Sequence, residues 1–264
     1  MRLIFVSLVL WAAAGVAFAS QCVQLAGGPD ARVWQANLSP GEVRILFIGH
    51  SAFRIETDQG ATVVTDFYGD PGPGDVPDAV TMNHAHSSHW TPFPDPAIAH
   101  PLKGWAEGGQ AADHWLELGN MLVRNVPTDI RRWDGGAESD GNSIFIFEYE
   151  DLCIGHLGHL HHEPSEADYG MIGRLDVVMA PVDGGQTLET PVMLRVLKRL
   201  RARLVLPMHH LSNLSLQEFL AGMADDYTIV GSDDSELTIS ARTLPSRPTV
   251  RLLAPLREPY SEFD

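Results

Sequence analysis

The sequence predicts a mixed α/β (α+β) fold, with two β-sheets packed face to face and helices outside them. Two observations predict it. Strand-like runs fill the first half of the chain, and helical periodicity enters only in the second, interleaved with further strands. Hydrophobic residues make up 44% of the 264 residues and charged residues 20%, enough apolar material for a sizeable core. No low-complexity linker or internal repeat divides the chain, so residues 20–264 read as a single domain.

The elements follow in order. Val43 to Ile48 is an apolar strand. Ala52 to Glu56 and Ala61 to Asp66 are strands joined across the turn Asp58-Gln59-Gly60. Asp70 to Gly74 is a Pro/Gly loop, and the short apolar run Ala79 to Met82 feeds Asn83-His84. Residues 91–112, rich in Pro, Gly and Ala, read as a long loop. With Trp90, Trp105 and Trp115 in or near it, that loop either covers a site or fills a side pocket of the core. Met121 to Val126 is a strand, Ser143 to Glu148 and Leu152 to His156 form a hairpin, and Asp176 to Ala180 is a buried strand. Thr190 opens a helix to about Arg201, with Met193, Val196, Leu197 and Leu200 on one face. Leu204 to Met208 is a strand, and Ser215 caps a second helix carrying Leu216, Phe219, Leu220 and Met223. Thr228 to Val230, Leu237 to Ser240 and Val250 to Leu253 complete the strands.

The first stretch reads as an address. Met1-Arg2 precedes an apolar run from Leu3 that ends in Ala17-Phe18-Ala19, the pattern of a secretory signal peptide (residues 1–19) cleaved after Ala19. An uncleaved anchor is the competing reading. The expectation is a soluble, exported protein, periplasmic or extracellular, free of the membrane after cleavage. Cys22 and Cys153 either pair in that oxidising compartment, or Cys153 is a small buried hydrophobe. A formal net charge of −16 disfavours nucleic acid and anionic membrane surfaces as partners. A small-molecule substrate is expected instead; oligomeric state is open.

Histidine carries the chemistry. Nine of the 12 fall in three clusters: His84, His86 and His89; His156, His159, His161 and His162; His209 and His210. Each follows an apolar strand, where a rigid scaffold presents functional groups. In an extended segment His84 and His86 point the same way, and a turn near Ser87 or Ser88 brings His89 back toward them. Neutral imidazole is the commonest metal ligand. His161, His162, His100 and His114 read as ordinary surface or core histidines.

The order of short segments resembles the metallo-β-lactamase fold superfamily, nearest the branch of the ascorbate-phosphate lactonase and related zinc hydrolases. The segments are Ile48-Gly49-His50-Ser51-Ala52-Phe53, Val63-Val64-Thr65-Asp66, Asn83-His84-Ala85-His86-Ser87-Ser88-His89, Ile154-Gly155-His156-Leu157-Gly158-His159-Leu160, Asp176 to Gly185, and Leu204 to His209. The resemblance implies a four-layer αβ/βα sandwich with a metal site at one edge of the two sheets. It implies ligands His84, His86, His89, His159 and His209 for one zinc ion or two, or for another divalent transition metal. His50, Ser88 and His156 are expected just outside the ligands. The chain departs from the family's His-x-His-x-Asp-His, since Ser88 replaces the Asp, and His159 replaces the Asp that bridges two metals. The family's middle His has no counterpart between residues 115 and 155, where Asp129 or Asp134 could stand in. Asp66 either orients a ligand His through its second nitrogen or caps a strand end.

The expected function is a metal-dependent hydrolase with a mononuclear or rearranged site, in which a metal-activated water attacks an ester, lactone, amide or phosphoester. Asp66, His89 and Asp129 are candidate catalytic groups. The alternative is a sandwich that has lost catalysis and acts in binding or metal sequestration.

Overall fold

The computed structural model describes residues 38–257, apart from His84, Ala85 and Leu211. The signal segment, Cys22 and the expected ligand His84 therefore lie outside the described residues. Fourteen strands and three helices are found among the described residues. The first strands are β1 (Val43–Gly49), β2 (Ala52–Thr57), β3 (Thr62–Val64), β4 (Ala79–Met82) and β5 (His100–Lys103). Then come β6 (Trp115–Leu118), β7 (Met121–Arg131), β8 (Ala137–Tyr149), β9 (Leu152–His156) and α1 (Glu166–Ile172). The chain continues through β10 (Val177–Pro181), α2 (Thr190–Leu200), β11 (Leu204–Met208) and α3 (Asn213–Met223), and closes with β12 (Thr228–Val230), β13 (Glu236–Ile239) and β14 (Thr249–Arg251).

Two sheets result. One has six strands in the order β13-β1-β2-β3-β4-β5, and the other eight in the order β12-β14-β11-β10-β9-β8-β7-β6. Strand alternation explains how each face is filled. Phe47, Phe53, Val63 and Ala79 from the first sheet meet Val123, Phe145, Phe147, Ile154, Met179 and Leu206 from the second in one buried core. The other face of the eight-stranded sheet, with Ile144, Ile146, Val178 and Val205, packs on Ile172 of α1, Met193, Val196 and Leu197 of α2, and Phe219 and Met223 of α3. The outer face of the six-stranded sheet offers Ile48, Ala52, Val64, Val80 and Met82. Among the described residues these are covered by loop side chains, Phe67, Tyr68, Trp90, Ile98 and Trp105, instead of a helix. The two indoles of Trp90 and Trp105 meet edge to face at 5.7 Å, so they fill this satellite core; Trp115 is about half exposed on β6.

Several local expectations change. The loop over 91–112 holds the edge strand β5, which pairs with β4 and carries Pro101, tolerated at a sheet edge. The strand from Met121 runs on to Arg131, and its partner begins at Ala137, so β7 and β8 form a long hairpin arm. The second helix is capped by Ser212, whose side chain accepts the Ser215 N–H at 3.2 Å; Ser215 lies inside the first turn. Helix α1, with a reciprocal Ser165–Asp168 capping box, is additional. Cys153 is disulfide-bonded and fully buried in β9.

Candidate metal centre

The site lies where strands of both sheets end on the same edge. His50 follows β1, Asp66 follows β3, His86 to His89 follow β4, His159 follows β9, Asp183 follows β10 and His209 follows β11. The His209 N–H donates to the His50 carbonyl at 2.7 Å, joining the two sheets across this edge. The expected turn is present, with the His89 N–H donating to the His86 carbonyl at 3.0 Å. Three residues here, His50, Asp66 and His209, hold left-handed backbone, with φ of 53°, 44° and 54°. Non-glycine residues pay for this conformation, and such strain persists where the surroundings over-determine it.

Among the described residues, four imidazoles converge. One ring nitrogen each from His86, His89, His159 and His209 lie within 4.8 Å of one another. The Nε2 atoms of His89 and His209 are 3.2 Å apart, and those of His86 and His159 are 3.0 Å apart. His89, His159 and His209 are almost completely buried, while His86 is partly open.

The outward nitrogens fix the rings. His89 Nδ1 meets Asp66 Oδ2 at 2.7 Å, and His209 Nδ1 meets Asp183 Oδ2 at 2.9 Å; all four side chains are fully buried. A carboxylate accepts and cannot donate, so each Nδ1 carries the proton and each Nε2 keeps its lone pair. Two lone pairs then face each other across 3.2 Å with no proton between them. That electrostatic arrangement fits a cation, and with His86 it supplies the three nitrogen donors a catalytic zinc site uses. Asp66 is held in turn by the Asn83 side-chain N–H at 2.7 Å. Asp183 accepts from the backbone N–H of Gly185 and Thr187 through Oδ1, both at 2.9 Å, and from the Thr187 hydroxyl through Oδ2 at 2.6 Å.

The charge state agrees. Burial, and then the neighbouring His209, push the His50 pKa down to about 3. Burial and His209 also hold His89 well below the usual histidine value, and burial with His89 does the same to His159. For Asp183, burial pushes upward, yet hydrogen bonds from His209 and Thr187 outweigh it and leave the carboxyl ionised. His50, His89 and His159 are therefore held as neutral imidazoles, and Asp183 stands as an anionic carboxylate behind His209.

The remaining expected residues are placed as follows. Ser88 Oγ lies 2.7 Å from His86 Nδ1 and 3.1 Å from His50 Nε2, linking the two rings. His156 is committed to structure: Nε2 meets the Ser51 carbonyl at 2.8 Å and Nδ1 accepts the Gly158 N–H at 3.1 Å. Asp129 stays away from the cluster; it is exposed on the hairpin arm and accepts the Asp140 N–H at 2.9 Å. Asp134 accepts the Gly136 N–H on the same arm. Of the histidines read as ordinary, His114 binds the Lys103 carbonyl at 2.7 Å and His162 is exposed. His161, however, enters the site, with Nε2 at 2.5 Å from His159 Nδ1. Asp183 and His161 received no role from the sequence. The signal for Asp183 was its position just past the end of a buried strand, and for His161 its two-residue spacing from His159.

A cleft of about 680 Å³ opens beside the cluster, lined by His86, His159 and His161 on one side and by Ile130, Trp133 and Glu138 of the hairpin arm on the other. Trp133 is 97% exposed. Arg131 ties the arm down, donating from Nη2 to the carbonyls of Gly185, Gln186 and Thr187, next to Asp183.

Two facing sheets, helices outside the larger one, and a histidine cluster at their shared edge define a layered α/β sandwich with a candidate metal centre. A family described as beta-lactamase superfamily domain matches residues 44–209, more than half of the chain, and the chain belongs to this superfamily. It is 25% identical to a UPF0173 metal-dependent hydrolase of Pyrococcus abyssi over 191 residues, which covers 64% of this chain and 84% of that protein. A UPF0173 metal-dependent hydrolase of Opitutus terrae is 26% identical over 196 residues, covering 65% and 86%. A solved structure from Thermotoga maritima, of the metallo-beta-lactamase superfamily, superposes with a TM-score of 0.57 at 26% identity, over 80% of this chain and 98% of that one.

Proposed function

We propose that the protein is an exported metal-dependent hydrolase that cleaves an ester, lactone, amide or phosphoester of a small molecule. The observation that carries this reading is the pair of Nε2 lone pairs on His89 and His209, each enforced by a buried carboxylate, beside His86. The relatives named as metal-dependent hydrolases support it. His86, His89 and His209 would hold a divalent ion, with zinc matching an all-imidazole donor set. When bound, that ion supplies a Lewis acid and a water of lowered pKa.

The chain's own residues do the rest. Asp66 and Asp183 keep the ring nitrogens unprotonated on the inner side and aim them. Both Asp66 oxygens are engaged, by His89 and by Asn83, in a fully buried position, so it orients instead of moving protons. The cleft beside His86 admits a small molecule, with Trp133 and Ile130 offering apolar surface to it. Ser88 in place of the carboxylate of the family pattern lowers the negative charge for a second ion, which favours a mononuclear centre. Export is supported by the secretory pattern of residues 1–19 and by the disulfide at Cys153.

The substitutions at Ser88 and His159 favour a second reading, metal sequestration without turnover. Metal analysis of protein purified without chelator, followed by assay on a panel of esters, lactones and phosphoesters, separates the two. About one ion per chain with chelator-sensitive hydrolysis supports the enzyme. A bound ion with no turnover supports sequestration, and the lack of any bound ion sinks both.

A further inference from the structure

We infer that His159 presents an N–H to the centre, as a hydrogen-bond donor to substrate, and is not a metal ligand; Arg131 and His161 impose this by fixing its ring tautomer. The inference rests on reading the cluster as a metal centre. It begins at a group that cannot change role, since a backbone amide only donates. The Arg131 N–H donates to His161 Nδ1 at 2.6 Å. That nitrogen is therefore unprotonated, and a neutral His161 must carry its proton on Nε2.

His161 Nε2 lies 2.5 Å from His159 Nδ1. The proton sits on His161, so His159 Nδ1 accepts, and neutral His159 must hold its own proton on Nε2. This Nε2 points into the cluster, 3.0 Å from His86 Nε2. Neutral His86 then accepts on Nε2 and holds its proton on Nδ1, facing Ser88 Oγ at 2.7 Å, which leaves the Ser88 hydroxyl to donate to His50 Nε2 at 3.1 Å. Every donor in the series Arg131, His161, His159, His86, Ser88, His50 points the same way.

His159 thus differs from its neighbours. A carboxylate behind His89 and His209 leaves a lone pair facing inward; the imidazole behind His159 leaves a hydrogen. Ligation through His159 Nε2 would require an imidazolate, or loss of the Arg131–His161 or the His161–His159 hydrogen bond. Among the described residues, three lone pairs and one N–H converge, and three nitrogen ligands are what a catalytic zinc centre takes from the protein. Beside those ligands the His159 Nε2–H is placed to hydrogen-bond the substrate oxygen that gains negative charge during hydrolysis, as an oxyanion donor. The backbone N–H of His159 donates to Asn142 Oδ1 at 2.8 Å, and this bond and the left-handed Gly158 before it set the residue in place. His161 and the Arg131 amide are positioning groups.

The test is nitrogen-15 NMR of the imidazoles in zinc-loaded and metal-free protein, joined to zinc titration of His159→Gln, His161→Phe and His86→Gln. The inference expects His159 Nε2 to remain protonated and Nδ1 unprotonated in both states. It expects His86→Gln to lose at least ~10-fold in zinc affinity, the scale of a lost ligand or its support. His159→Gln should stay close to wild type, and His161→Phe should hold or gain affinity, because His159 is then free to turn a lone pair inward. A metal-bound His159 Nε2, or an affinity loss for His159→Gln as large as that for His86→Gln, overturns it. If wild type takes up no divalent ion, the metal reading fails, while the tautomer in metal-free protein still decides the orientation of His159. Should the variants unfold, the wild-type spectra alone give the answer.

Discussion

Asp183→Asn isolates what a buried carboxylate does behind a metal-binding imidazole. Asp183 Oδ1 accepts two backbone N–H groups, from Gly185 and Thr187, and these cannot reverse direction. The asparagine oxygen must take that place, so its NH2 falls where Oδ2 was, facing His209 Nδ1 and the Thr187 hydroxyl. Thr187 can turn and accept. His209 Nδ1 must accept as well, which moves its proton to Nε2 and points it into the cluster. The inward lone pair is lost although no ligand has been removed. Changing such a supporting group costs about 10–100-fold in metal affinity, or ~1.4–2.7 kcal/mol. Competitive zinc titration against a chelating dye measures this, with circular dichroism confirming the fold. Affinity within twofold of wild type in a folded variant would show that Asp183 does not set the tautomer of His209, and the lone-pair account of the site would fail.

Further outcomes follow from the same geometry. Gly158→Ala places a Cβ against Asn142 Oδ1 and 2.5 Å from Asn83 Nδ2, at a φ of +59°. A loss of about 3 kcal/mol, or ~6–12 °C in Tm, is expected by calorimetry. Ser88→Asp restores a carboxylate between His86 and His50 and should raise affinity for a second divalent ion, read as a second equivalent in titration; unchanged stoichiometry would show that this loop no longer has the dinuclear geometry. Metal-free protein should lose stability in acid. His50 and His161 have folded pKa values of about 3 and about 4, below the 6.5 of a free histidine. The unfolded chain therefore binds protons first as pH falls below 6.5. The stability these rings contribute is complete above about pH 7 and is lost progressively as pH falls from there toward the folded values of about 4 and about 3. A urea midpoint unchanged between pH 7 and 5 would contradict this.

Where burial wrote an apolar run, the sequence was legible. β1, β4, β9, β10 and β11 are almost wholly buried, and their ends were readable because each run stops at Gly, Asn, His or Pro. The hairpin arm was not legible beyond Val126. Residues 137–140 of β8 are polar or small and alternate between solvent and partial cover, so they leave no hydrophobic period; pairing with β7 holds them extended. β5 and β6 are edge strands with the same difficulty, one carrying a proline. In the site, histidines stood out because clustered imidazoles are costly without a partner. Asp183 and His161 did not, since what distinguishes them is a hydrogen bond made across 26 residues in one case and a backbone amide 30 residues away in the other. Asp129 drew attention as a carboxylate in a gap of the ligand pattern, and the structure uses it to brace the arm.

Anomalous X-ray diffraction at the zinc edge, on crystals grown with Zn²⁺, reaches the centre of the account. The expected result is a single strong peak among the rings, ~2.0–2.1 Å from Nε2 of His86, His89 and His209. A map with no peak there, at full occupancy elsewhere or none, would mean that these imidazoles converge for some purpose other than holding an ion.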